Sequence, residues 1–195
     1  MSSLKVFWAN PVVFSGSVTA SYVLFYTAFD KKTKTLQFSN LTDFFLLRKG
    51  LDWTLVEANK AISLSGLTIM MSSFLPQFAE KQKELLWISM NMLWGHSVYS
   101  FYKFYQFDPR KVLSDKWIKQ ISVFFGVAGQ AALSLGYWGF IDLPTLALSA
   151  TALSIAHFWS MEVDFKYKLQ VRPFAYLPFP LAGLALYNYF AKLGK

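Results

Sequence analysis

Between Glu84 and Lys103 the chain carries no acid or base except one histidine, His96. Extended to Leu85–Gln106, the stretch would form a helix about 33 Å long at ~1.5 Å per residue, against a hydrocarbon core of ~30 Å. Few folds accept such an element: it is either wrapped inside a large soluble core or it crosses a bilayer. A second stretch of the same kind, Pro144–Val163, holds the only other histidine, His157.

Composition decides between the two. Of 195 residues, 54% are hydrophobic, 19% aromatic and 15% charged. An ordinary soluble domain is about 45–50% apolar and ~25% charged. The charges are clustered, and the runs between them are too evenly apolar for one-sided burial. The expectation is an all-α, polytopic integral membrane protein: one helical membrane domain over residues 1–195 with five or six transmembrane helices and a short interfacial helix.

The expected spans lie at about 9–29, 56–78, 85–106, 120–140, 144–163 and 173–190. The first follows from Val6–Phe29, where Pro11 suits a first helical turn because its missing N–H costs nothing there. Tyr26-Thr27-Ala28-Phe29 is a poor cleavage site, so the stretch reads as a span rather than a signal peptide. Asp30–Gly50 is a polar loop around an apolar piece, Leu41–Leu47, too short to cross. Asn40 or Thr42 would cap it as an interfacial helix. The span at 56–78 is rich in Ser and Thr, whose hydroxyls bond their own helix carbonyls or a neighbouring helix for ~0.6–2 kcal/mol. In the fourth span Ala128, Ala132 and Gly136 form one row of small residues, and Ser122, Gly126, Gln130 and Ser134 another. Rows of this kind let helices approach closely in lipid. The last span is kinked by Pro178 and Pro180.

Six spans divide the 19 basic residues 14 to 5 between the two faces. The richer face holds Lys31, Lys32, Lys34, Arg48, Lys49 and Lys60, then Lys103, Arg110, Lys111, Lys116 and Lys119, then Lys166, Lys168 and Arg172. The positive-inside rule places it toward cytoplasm, matrix or stroma, with both termini opposite. The Asn40-Leu41-Thr42 sequon would face inside and stay unglycosylated. The net charge of +8 then reads as orientation and headgroup contact, not nucleic-acid binding.

The residue inventory excludes much chemistry. Without cysteine there is no disulfide, thiolate catalysis or iron–sulfur ligation. Eight of the eleven carboxylates fall in loops or caps, and Glu57, Glu162 and Asp164 sit at span ends. No acid is expected at mid-membrane, which argues against a pump or a proton-coupled transporter. P-loop, GxSxG, HExxH and CDP-alcohol-type aspartate patterns are absent, and two histidines are too few for a di-iron hydroxylase.

Two constellations remain. His96 and His157 would lie ~17 and ~20 Å from the same surface at ~1.5 Å per residue. That depth suits axial ligation of a haem b from two sides, as in a haem- or quinone-linked electron carrier. The plainer reading, of two neutral packing histidines and no cofactor, carries more weight. The second is a basic rim of Lys103, Arg110, Lys166, Lys168 and Arg172, with Glu162 and Asp164 interspersed. It would hold cardiolipin or another anionic lipid, either as a structural contact or as the site of a lipid-handling enzyme or transporter. Met70, Met71, Met90, Met92 and Trp94 read as packing. The expected function is a non-catalytic accessory or assembly subunit of a larger membrane complex, of the respiratory or photosynthetic kind. Its setting would be an organellar inner membrane such as the mitochondrial one, and its partners lipids and other membrane subunits.

Overall fold

A computed structural model describes residues 10–30, 32–106 and 117–142, together with 145–146, 149–152, 180, 183–184, 187–188 and 190–191. Among these residues the fold is all-helical, and the only β pairing is an isolated bridge between Phe29 and Leu36. The helices are α1 (Pro11–Ala28), α2 (Phe38–Phe45), α3 (Leu51–Ser72), α4 (Gln82–Gln106) and α5 (Trp117–Tyr137). A 3-10 turn, Pro76–Lys81, joins α3 to α4.

Local chemistry sets the helix ends. Asn10 Oδ1 accepts the N–H groups of Val12 and Val13, and Pro11 fills the first position, where no backbone donor is needed. The next helix starts earlier than the sequence predicts. Neither Asn40 nor Thr42 caps it: Lys49 Nζ donates to Asn40 Oδ1, and the Thr42 hydroxyl donates to the Phe38 carbonyl. The start is set by tertiary pairing instead, because the Phe29–Leu36 bridge and the Gln37 N–H bond to Ala28 O fold the chain back on the end of α1.

Leu47 ends α2 in the left-handed region, φ 53°, with the Arg48 N–H bonded to Asp43 O. A glycine normally stands there. Gly139, φ 80°, ends α5 in the same way, with the Phe140 N–H on Leu135 O. This stops α5 three residues short of the expected 140. The α3 helix runs from Leu51 to Ser72 rather than to 78, since Ser73–Leu75 turn into Pro76.

The α3–α4 pair is the centre of the bundle, with α1 on α3 and α5 on α4. Leu64, Leu67, Met70 and Met71 of α3 meet Leu86, Met90 and Leu93 of α4, and Leu133 of α5 and Ala150 close the same core. At Gly66 the two helices nearly touch. A Cβ there would lie 3.0 Å from Leu93 Cγ and 3.4 Å from Met92 Cβ. Phe14 of α1 packs with Ile69 of α3 and Leu85 of α4 near the turn.

Among the described residues, no single helix is long and apolar enough to cross a membrane. The stretches Leu51–Ser72 and Pro76–Tyr99 are so only as a pair, bent by 108°.

Candidate functional site

The interior of the bundle is unusually polar. Ser63, Ser65, Thr68 and Ser72 of α3, Ser89, His96 and Ser97 of α4, and Gln130 of α5 are all buried. Several hydroxyls are answered by their own helix: Ser65 donates to Ala61 O at 2.7 Å, Ser72 to Thr68 O at 2.8 Å and the half-buried Ser134 to Gln130 O at 2.8 Å. Other bonds cross between helices. Tyr22 of α1 and Thr68 of α3 share a hydrogen bond of 2.6 Å, and the Trp94 indole of α4 donates to the Ser134 hydroxyl of α5 at 2.8 Å. Of the two rows of small residues expected on α5, the one carrying Gln130 and Ser134 thus faces α4.

Glu57, expected near the start of its span, is the one buried carboxylate among the described residues. It lies within α3, is 6% exposed, and is paired with Lys60 Nζ at 3.5 Å, one turn later. An ion pair at this spacing is what lets a helix carry two opposite charges into a low-dielectric interior.

His96 is 3% exposed, at the middle of α4. Its expected partner, His157, lies outside the described residues, and so do Arg110, Lys166, Lys168 and Arg172 of the basic rim. Lys103 falls near the end of α4, two turns beyond His96 on the same helix side, but its side chain also lies outside the described residues. Among the described residues no group of three or more histidines and carboxylates is placed to hold a metal ion. No protein-family model, curated protein or solved structure matches the chain. The functional reading therefore stands on this chain's own geometry.

Two features that sequence patterns did not reveal lie on the outside of the bundle. The first is an open, apolar groove of about 860 Å³ between α1 and α4. Gly16, Thr19, Ala20 and Val23 form the α1 wall, and Trp87, Ile88 and Met92 the α4 wall. Leu41 and Phe45 of α2 line it as well, next to the α1 C-terminus to which Gln37 is bonded. Ser15 also lines the groove and is 5% exposed, and its hydroxyl has no hydrogen-bond partner among the described residues.

The second feature is the corner after α2. Phe45, Leu46, Leu47 and Leu51 are exposed there, next to Arg48 and Lys49. Lys49 is held over the Trp53 ring at 4.9 Å and lies 3.4 Å from Asp43, which Arg48 approaches at 3.9 Å. Spacing along the sequence predicts a small interfacial helix here. It does not predict that the corner leucine sits at positive φ with an exposed side chain.

Proposed function

We propose that the chain is a membrane-embedded helical subunit, a non-catalytic accessory or assembly component of a larger membrane complex that acts through helix packing and lipid contact. The observation that carries this reading is that many polar side chains share the interior while large apolar ones face outward. Serines, threonines, His96 and Gln130 are inside, while Val12, Leu24, Phe25, Trp87, Val98 and Leu135 stand on the outer faces of the helices. In water such an arrangement wastes apolar burial at about 25 cal/mol per Å². In lipid the outer faces need no cover, and packing with internal hydrogen bonding drives association.

Helix length supports the same reading. At ~1.5 Å per residue, α1, α3, α4 and α5 measure roughly 27, 33, 37 and 31 Å, against a ~30 Å hydrocarbon core. Their mean hydropathy is held down by Ser, Thr, Tyr and Asn. Several of these bond carbonyls of their own helix, among them Thr19 to Ser15 O and Asn91 to Trp87 O. A polar atom satisfied inside its own helix costs far less in lipid than its place on a hydropathy scale implies. Under this reading the basic faces point to cytoplasm, matrix or stroma, and the organelle is an energy-transducing one.

The test is the native mass after mild detergent extraction from the source membrane, with co-migrating proteins identified. Migration in a large assembly is the expected result. Migration alone, or as a small homo-oligomer, overturns the accessory role. A second reading, haem b ligation by His96 and His157, is favoured by the burial of His96 at the middle of α4. A reduced-minus-oxidised spectrum of the gently purified chain without haem bands excludes it.

A further inference from the structure

We infer that the groove between α1 and α4 is a binding site for one acyl chain of an anionic phospholipid, with the headgroup over the basic residues around α2. The inference rests on the membrane reading above.

Three observations lead to it. The groove has the size of a ligand site, about 860 Å³ against a usual range of ~300–1,000 Å³. Its wall runs from Val12 to Leu24 of α1, about 18 Å at ~1.5 Å per residue, close to the ~15 Å of one leaflet's hydrocarbon. Its lining is almost wholly apolar, which matches a hydrocarbon tail.

Shape and charge then select the occupant. Leu41 and Phe45 bring α2 to the groove near the α1 C-terminus. A partner helix crossing the whole bilayer would need that end clear, whereas a lipid tail starts at the interface beside α2 and ends within the membrane. Around this end stand Lys32 and Lys34, both exposed, and Arg48 and Lys49. Cations near a membrane surface each attract anionic headgroups by about 1 kcal/mol. The exposed Leu46 and Leu47 beside Arg48 and Lys49 suit α2 to headgroup depth, where apolar and basic side chains both find favourable surroundings.

The test uses the full chain reconstituted in nanodiscs of mixed phosphatidylcholine and phosphatidylglycerol. Lipid retained per chain after detergent exchange is measured by mass spectrometry. The wild type is expected to retain phosphatidylglycerol in preference to phosphatidylcholine. Gly16→Leu projects into the groove, and its Cβ meets nothing within 4 Å. It displaces about two methylenes of the tail, worth roughly tenfold in retention. Lys32→Glu with Lys34→Glu is expected to erase the headgroup preference while leaving the chain folded.

Equal retention of the two lipids by wild type overturns the headgroup assignment. Unchanged retention by Gly16→Leu overturns the groove. Should Gly16→Leu fail to fold, Ala20→Phe fills the same wall, and unchanged retention by that variant overturns the groove equally. A chain that enters nanodiscs but keeps no phosphatidylglycerol sinks this inference alone. A chain released from membranes by alkaline carbonate sinks the membrane reading beneath it.

Discussion

Gly66 and Gly16 both face helix α4, and they do opposite things. At Gly66 a methyl group would press on Leu93 at 3.0 Å, and on α1 a methyl at Gly16 would meet nothing within 4 Å. The first glycine closes a seam and the second leaves one open. A small residue in an apolar helix is therefore not by itself a packing signal. Its meaning depends on whether the facing helix presents a side chain such as Leu93 or a gap between Trp87 and Met92.

The largest expected effect is on the closed side. Leu93→Ala removes a side chain that is 1% exposed and is expected to cost about 2–5 kcal/mol, because the surrounding side chains collapse only partly into the void. Thermal melting of the detergent-solubilised chain measures it, and a loss below ~1 kcal/mol would mean that the α3–α4 seam is not the core. Gly66→Ala follows at about 1–3 kcal/mol, through overpacking against Leu93. Gly16→Ala is its control and is expected to stay within ~0.5 kcal/mol of wild type. Equal losses at the two glycines would abolish the contrast between seam and groove.

The seam between α4 and α5 gives a smaller effect. Ser134→Ala removes the acceptor of the Trp94 indole and is expected to cost ~0.6–2 kcal/mol in the same melt. Trp94→Phe with Ser134→Ala should then cost little more than either change alone, which a double-mutant cycle reads directly.

The smallest effect belongs to the turn that leads into α2 at the α1 end of the groove. The Asp30 carboxylate accepts the N–H groups of Thr33 and Lys32, both at 2.8 Å. These bonds, the Thr33 one first, hold its carboxyl below the usual aspartate range. A lowered folded value means that the turn's contribution is complete above the unfolded aspartate value and drains away as pH falls through the folded one. Melting at pH 6 and pH 3 should therefore show a small acid-dependent loss that Asp30→Asn flattens. An identical pH dependence in the variant would remove Asp30 as its source.

How much is legible in the sequence varies with the range of the interaction that decides each feature. Asn10-Pro11 announces the start of α1 because cap and first turn are local. The all-helical class follows from long apolar runs without strand alternation. The start of α2 is not legible: it is placed by the Phe29–Leu36 bridge and the Gln37–Ala28 bond, which join residues from separate elements. Glu57 reads as a charge at a span end, because counting charges along a chain ignores the Lys60 that neutralises it one turn on.

Of the candidate site, the burial of His96 agrees with its place in the middle of an uncharged run. The groove is illegible for the same reason as the two glycines. Gly16 and Ala20 are visible as a small-residue face, but whether anything covers that face depends on which side chains of α4 and α2 point there.

The hydroxyls that bond their own helices also bear on how the bundle is built. Under the proposed membrane reading, Thr19, Ser65, Ser72 and Ser134, already satisfied within a single helix, would enter lipid without waiting for a neighbour to pair them. The Tyr22–Thr68 and Trp94–Ser134 bonds, which join separate helices, would then form later, as registers between helices already inserted. On that reading synthesis and assembly become separable events, and the proposed subunit could wait in the membrane ahead of a complex.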